Sequence, residues 1–110
     1  MRLEMSNLDF TISCTITFFN KKMTSPPNLN NGKYCPQLVI KGSDQQLGVN
    51  FIDGEDVNFD KPIHANALPV DEDIDYSALQ VDTEFLILEG SVIVGEGIVK
   101  EIFQHKPYGS

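Results

Sequence analysis

Residues 8–20, LDFTISCTITFFN, alternate apolar and polar side chains. The apolar positions are Leu8, Phe10, Ile12, Cys14, Ile16 and Phe18, and the intervening polar positions are Asp9, Thr11, Ser13, Thr15 and Thr17. A period of two with many β-branched residues predicts a long β-strand with one buried face. Phe19 breaks the alternation near the end of this strand.

Five further apolar stretches are separated by turn-forming residues, and they predict strands at about 37–41, 47–52, 63–70, 84–90 and 91–103. A loop rich in Pro, Asn and Gly spans 21–36, and a polar loop spans 55–62. Six short strands without a long helix or a repeat predict an all-β barrel or sandwich. The 110 residues fit one domain, residues 1–110, with the strands within 8–103 and a tail at 104–110.

Several residues predict where these strands bend or end. Asp53-Gly54 is typical of a two-residue hairpin turn. Pro69 indicates a strand end or a sheet edge. Gly95 and Gly97 indicate a bulge or a close backbone approach in the last strand. The acidic segment 71–82 is long enough to contain one helical turn. The predicted core includes Phe10, Ile12, Phe18, Phe85 and Ile87.

Two segments resemble the C-terminal domain of elongation factor Tu. Residues 85–99, FLILEGSVIVGEGIV, are similar to the family pattern Phe-x-Ile-Arg-Glu-Gly-Gly-Arg-Thr-Val-Gly-x-Gly-Val-Val. The shared positions are Phe85, Ile87, Glu89, Gly90, Val94, Gly95, Gly97 and Val99. Residues 34–38, YCPQL, resemble the family's Tyr-Arg-Pro-Gln-Phe. The resemblance implies an all-β fold, a closed six-stranded antiparallel barrel, as a divergent stand-alone domain.

Three positions depart from the family pattern, because Cys35, Leu88 and Val92 stand where the family has arginine. The family's domain helps to hold aminoacyl-tRNA and contacts the nucleotide-exchange factor, and phosphate contacts need donors such as arginine. The sequence also contains no Gly-x-x-x-x-Gly-Lys-[Ser/Thr] loop of a GTPase. The resemblance therefore implies the scaffold without the translation role, since a fold does not carry a function.

The charge of the chain is concentrated in its middle. The net charge is −8, and residues 44–89 hold twelve acidic residues with Lys61 as the one basic residue. Such a field repels phosphate backbones, so we expect no nucleic-acid partner. Two interpretations stay open: the acidity keeps the protein soluble, or it attracts a basic protein partner.

Cys14 and Cys35 do not make a disulfide framework, and we expect reduced thiols. The first residues, MRLEMSNLD, lack the apolar stretch of a signal peptide. No apolar run approaches the roughly 18 residues of a membrane span, so we expect no membrane partner and a cytoplasmic location. The sequence leaves the oligomeric state open.

Catalysis requires a positioned base, nucleophile or metal. His64 and His105 are far apart, and neither has metal-ligand spacing to a cysteine or to the other histidine. No serine lies in a Gly-x-Ser-x-Gly elbow. We therefore expect no catalytic residue, no cofactor and no enzyme activity.

One segment has the spacing of a calcium loop. Asp71, Asp73 and Asp75 match its first, third and fifth positions, and Asp82 falls at the twelfth. Tyr76 stands at the sixth position, where the loop needs glycine. We therefore expect a solvated acidic loop at this segment and no metal site.

Two acidic loops are candidate protein-binding surfaces. The first contains Asp71, Glu72, Asp73, Asp75 and Tyr76, and the second contains Asp53, Glu55, Asp56 and Asp60. Tyrosine is a common interface anchor, and carboxylates pair with Arg and Lys of a partner. If the barrel brings both loops to one end, they form one negative patch. These features predict a non-catalytic protein-binding module, such as an immunity or inhibitor protein for a basic nuclease toxin. The alternative is a translation-related module that docks on the exchange factor or the ribosome.

Overall fold

The computed structural model describes residues 10–105, which form a closed antiparallel barrel of six strands. The strands are β1 (Phe10–Phe18), β2 (Gln37–Ile40), β3 (Gln46–Gly54), β4 (Ile63–Pro69), β5 (Glu84–Glu89) and β6 (Val92–Gln104). Around the barrel their order is β1-β4-β3-β2-β5-β6, and β6 closes the ring by pairing with β1. The predicted fold class, an all-β closed six-stranded antiparallel barrel, is confirmed.

The alternation in residues 8–20 produces β1 as predicted. The apolar side chains from Phe10 to Phe18 point into the barrel, whereas Thr15 and Thr17 are half-buried on its outer face. After Phe18 the chain leaves the strand and enters a short 3-10 helix at Asn20–Lys22. Residues 8 and 9, which the prediction also placed in this strand, lie outside the described residues.

The other five strand predictions are also confirmed, and no strand end differs from the predicted one by more than two residues. Pro69 is the last residue of β4, as its missing N–H led us to expect. β6 includes Gln104, which the prediction assigned to the tail. His105 follows β6 without regular structure, and residues 106–110 of that tail lie outside the described residues.

The predicted hairpin turn at Asp53-Gly54 is wrong, because both residues belong to β3 and pair with β4. The side chain of Asn30 takes the place of a neighbouring strand beside Gly54. Its Oδ1 accepts a 3.1 Å hydrogen bond from the N–H of Gly54, and its Nδ2 donates to the carbonyl at 3.0 Å. A Cβ on Gly54 would lie 2.7 Å from Leu29 Cδ1, so the glycine makes room for the packing of the β1–β2 loop.

The close approach predicted at Gly95 and Gly97 is confirmed. A Cβ on Gly97 would lie 2.7 Å from both Ile16 Cγ2 and Phe85 Cζ. A Cβ on Gly95 would lie 2.5 Å from the carbonyl oxygen of Thr17. The pairing of β6 with each of its neighbours also contains a bulge. Missing side chains and bulges together let this long strand curve around the core.

The strand directions define two ends of the barrel. The upper end carries the β1–β2 loop (19–36), the β3–β4 loop (55–62) and the β5–β6 turn (90–91). The lower end carries the β2–β3 turn (41–45) and the β4–β5 loop (70–83), together with the start of β1 and the end of β6.

The β4–β5 loop closes the lower end. The helical turn considered for residues 71–82 is absent, because this segment consists of successive turns. Tyr76 and Leu79 are 4% and 3% exposed, and they fill the opening between the strands. The ring of Tyr76 meets the ring of Phe10 edge to face, at 6.1 Å between centroids. Leu29, which is 2% exposed, is buried in the same way from the β1–β2 loop.

All five core predictions are confirmed: Phe10 is 8% exposed, and Ile12, Phe18, Phe85 and Ile87 are 0% exposed. These side chains belong to one continuous cluster that fills the barrel. Within residues 10–105, no helix has the length and apolar character needed to cross a bilayer.

Candidate functional site

The barrel topology separates the two acidic loops. Asp53, Glu55, Asp56 and Asp60 lie at the upper end, where β3 runs into β4. Asp71, Glu72, Asp73 and Asp75 lie at the lower end, in the loop between β4 and β5. The two loops therefore do not form the single negative patch that the sequence analysis considered.

Three of the four carboxylates of the upper acidic loop, those of Asp53, Glu55 and Asp60, have local structural partners. Asp53 accepts a 2.7 Å hydrogen bond from Nδ2 of Asn66 on β4. Glu55 accepts one from the backbone N–H of His64, also at 2.7 Å. The Oδ1 of Asp60 accepts a 3.2 Å hydrogen bond from the backbone N–H of Asn20. These contacts join the β3–β4 connection to its neighbours, and they give Asp53, Glu55 and Asp60 a structural role that needs no ligand.

Lysines lie at the same end as this upper loop. The β1–β2 and β3–β4 loops contain Lys21, Lys22, Lys33 and Lys61, all of which are exposed. The upper end therefore carries both signs of charge, and its field is weakened accordingly.

The lower end has a one-sided charge. Its loops and the first residue of β5 contain seven acidic residues, namely Asp44, Asp71, Glu72, Asp73, Asp75, Asp82 and Glu84. The one basic side chain in the same segments is Lys41, which lies 3.2 Å from the carboxylates of both Glu84 and Glu96. Lys41 is already paired with two carboxylates, and the end of β6 adds one basic and one acidic residue, Lys100 and Glu101, so among residues 10–105 the lower end keeps a net negative charge.

Two carboxylates of the β4–β5 loop are held by short-range hydrogen bonds. Asp71 accepts one from the N–H of Asp73 at 3.0 Å, and Asp75 accepts one from the N–H of Ser77 at 2.9 Å. In each of these turns, the Asp side chain accepts a hydrogen bond from the backbone N–H two residues later in the chain. The bonds from Ser77 lower the pKa of the Asp75 carboxyl. Asp75 is therefore charged at neutral pH, as the binding hypothesis requires.

The assignment of Tyr76 as an exposed interface anchor is wrong. Its side chain lies in the core, and its hydroxyl donates to the carbonyl of Gly48. The same hydroxyl accepts from the N–H of Asp71 at 3.1 Å. Tyr76 therefore holds the acidic loop against β3 and does not present its ring to a partner.

No group of three or more His, Cys, Asp or Glu side chains within residues 10–105 is arranged to hold a metal ion. Asp71 and Asp75, two of the three residues with calcium-loop spacing, use a carboxylate oxygen in backbone turns.

Both cysteines are free thiols: Cys14 is buried and Cys35 is exposed. Burial raises the pKa of the Cys14 thiol to about 12, so this side chain stays protonated and unreactive.

The structure shows a serine–histidine contact that the sequence did not predict. Ser13 Oγ and His64 Nε2 lie 3.0 Å apart and share a hydrogen bond between the outer faces of β1 and β4. Ser13 is 3% exposed, so its hydroxyl is covered and offers no access to a substrate. Alternation places both residues on outer faces, but their contact depends on the pairing of β1 with β4, which a local pattern does not contain.

The two segments with the family resemblance lie side by side. Gln37 of β2 pairs with Leu88 of β5, and both residues line a shallow groove of about 430 Å³. Cys35 and Glu89 also line this groove, and the hydroxyl of Tyr34 donates a hydrogen bond to Glu89.

The fold and these surfaces define a small closed β-barrel with an acidic lower end and a mixed upper end. No protein-family model matches the sequence, and no curated protein matches it.

Proposed function

We propose that this protein is a non-catalytic binding module whose lower end binds a basic protein partner. In its most specific form, the protein is an immunity or inhibitor protein that covers a basic toxin such as a nuclease. The observation that carries this proposal is the net negative charge of the lower end, where the loops and the start of β5 expose seven carboxylates and their one lysine, Lys41, is already paired with Glu84 and Glu96.

The β4–β5 loop suits such a role because it is anchored from within. Tyr76 and Leu79 hold the loop in the core, and turns fix the carboxylates of Asp71 and Asp75. Less side-chain and loop freedom is then lost on binding, which favours affinity. A negative surface also accelerates the encounter with a positive partner and makes it dependent on salt.

The test is affinity capture from native lysate at moderate salt with three forms of the protein. The first is the wild type, and the second carries D71N, E72Q, D73N and D75N. The third is a matched control with D53N, E55Q, D56N and D60N, which changes the charge equally at the upper end. Each amide replacement keeps an oxygen that can accept the same hydrogen bonds, so the fold should persist.

The proposal predicts one basic partner that the wild type and the upper-end variant retain, and that the lower-end variant loses. Raising the salt concentration should release this partner. If only the upper-end variant lost the partner, the binding surface would be the upper end and the proposed lower-end site would be wrong. Retention by both variants would exclude the acidic loops as the binding surface.

A second candidate is a translation-related module that docks on the exchange factor or the ribosome. The observation in its favour is that the two segments resembling elongation factor Tu line one groove between β2 and β5. Binding to purified exchange factor, or to aminoacyl-tRNA at physiological salt, would support this candidate. The substitutions Q37A and L88A should then weaken binding, whereas the lower-end variant should not.

A further inference from the structure

We propose that the basic partner adds an extended segment as a new strand along the end of β6, at Glu101–Gln104. This inference rests on the proposed function and specifies how the lower end would be engaged. Strand addition uses main-chain hydrogen bonds for affinity and side chains at alternate positions for specificity.

The edge arises because β6 is longer than β5. The contact between the two strands ends at Val99, whose N–H donates to Thr83 O at 2.9 Å and whose carbonyl accepts from Asp82 N at 2.8 Å. The chain turns away at Asp82, which has a φ of 74°. Beyond Val99, β6 pairs only with β1 within residues 10–105. One edge of Glu101–Gln104 is therefore left without a strand partner in this part of the chain.

Two exposed apolar side chains flank this edge. Phe103 is 48% exposed on the outer face of β6, and Val81 is 54% exposed just before Asp82. An unpaired strand edge next to exposed apolar side chains is a template for another strand.

The net negative charge of the lower end favours a basic segment over a second copy of this chain, and the exposed Lys100, just before Glu101, is the one basic side chain of β6 within residues 10–105. Glu101 lies on the same outer face as Phe103, and Asp82 lies where the β5 side ends. Two copies paired through β6 would bring two acidic lower ends together, at a repulsive cost. A segment with a basic residue opposite Glu101 and an apolar residue two positions away, opposite Phe103, fits both side chains.

The test uses a defined peptide, Thr-Lys-Thr-Val-Thr-Lys-Thr, with blocked ends and Lys and Val on one face. Two further versions of the peptide carry N-methyl groups on alternate backbone amides. One version is methylated at the amides of one strand edge, and the other at the amides of the opposite edge. Strand addition uses only the amides that face β6. One methylated version should therefore bind roughly tenfold weaker than the parent, while the other retains its affinity. NMR shifts should concentrate in the amides of residues 101–104, and F103A, at an exposed position, should weaken binding.

Equal binding of both methylated versions would overturn strand addition. If that binding still depended on the carboxylates of the β4–β5 loop, the proposed function would stand. No measurable binding of the parent peptide would also overturn this inference, whereas the lysate experiment tests the proposed function by itself. Slow hydrogen exchange at all four amides of residues 101–104 in the free full-length chain would show that the edge is already covered, and would equally overturn it.

Discussion

The hydroxyl of Tyr34 donates a 2.7 Å hydrogen bond to Oε2 of Glu89, and this bond joins the β1–β2 loop to the end of β5. The ring of Tyr34 also stacks on Phe51, with 5.9 Å between centroids, and meets Phe18 edge to face. The long upper loop is therefore fixed at its last residues by a contact that has both an apolar and a polar part.

The first prediction concerns the free energy of unfolding of the Y34F variant. This substitution keeps the ring contacts and removes the hydrogen bond, so we expect a loss of about 1 kcal/mol at neutral pH. Urea denaturation followed by circular dichroism measures it. A loss above about 3 kcal/mol would mean that the upper loop unfolds with the bond.

The second prediction concerns alkaline pH. Burial, together with the hydrogen bond and charge of Glu89, raises the pKa of Tyr34 above its usual value. The folded state therefore keeps the phenol proton at a pH where the unfolded state, with a tyrosine pKa of about 10, loses it. Unfolding then releases a proton, so the free energy of unfolding falls as the pH rises above about 10. The fall between about pH 10 and pH 11 should be shallower in Y34F than in the wild type. Equal slopes would contradict this role of Tyr34.

The third prediction separates the two thiols by their reactivity. Cys35 is exposed, whereas Cys14 is buried and its pKa is raised to about 12 by burial. With a thiol reagent such as Ellman's reagent, the native protein should show one fast-reacting thiol, and unfolding should release the second. The C35S variant should show no fast reaction in the native state. Fast labelling of both thiols in the native wild type would mean that β1 opens readily.

The fourth prediction tests the position of the core. Phe85 is 0% exposed and packs against the chain at Gly97, so F85A should cost about 3–5 kcal/mol of unfolding free energy. F103A is the matched control, because this phenylalanine is 48% exposed and should cost less than about 1 kcal/mol. Similar costs for the two variants would show that the register of β5 or β6 is wrong.

The fifth prediction concerns the space at Gly97. A Cβ there would lie 2.7 Å from Phe85 Cζ and from Ile16 Cγ2, so G97A should destabilise the barrel by about 1–3 kcal/mol. At Gly48 the nearest atom is Val70 Cγ2 at 3.3 Å, and Val70 is 48% exposed and free to move. Denaturation midpoints of G97A and G48A should therefore differ, with G97A lower.

Period-two alternation made β1 predictable, because the pattern of buried and exposed residues is a property of neighbouring residues. The predicted turn at Asp53-Gly54 was wrong because contacts with distant residues decide the conformation there. Its sequence favours a turn, but Asn30 supplies hydrogen bonds from a loop more than twenty residues away and extends the strand. Local turn preference was outweighed by tertiary contacts.

The candidate site was harder to predict than the fold, because it depends on the order of the strands. Tyr76 sits among carboxylates in sequence, yet its contact with Phe10 buries it. The separation of the two acidic loops follows from the strand directions, which no local pattern reveals. The same holds for the contact of Ser13 with His64, which lies across 51 positions of the chain.

The pairing of Phe10 with Gln104 has a consequence for how the protein folds. The ring is complete only when β1 and β6 meet, so synthesis must pass residue 104 before the barrel can close. Contacts between residues so far apart in sequence slow folding into the range of milliseconds to seconds. Until β6 is in place, β1 and β5 each lack one of their two neighbouring strands. The growing chain therefore exposes two strand edges while it is still on the ribosome.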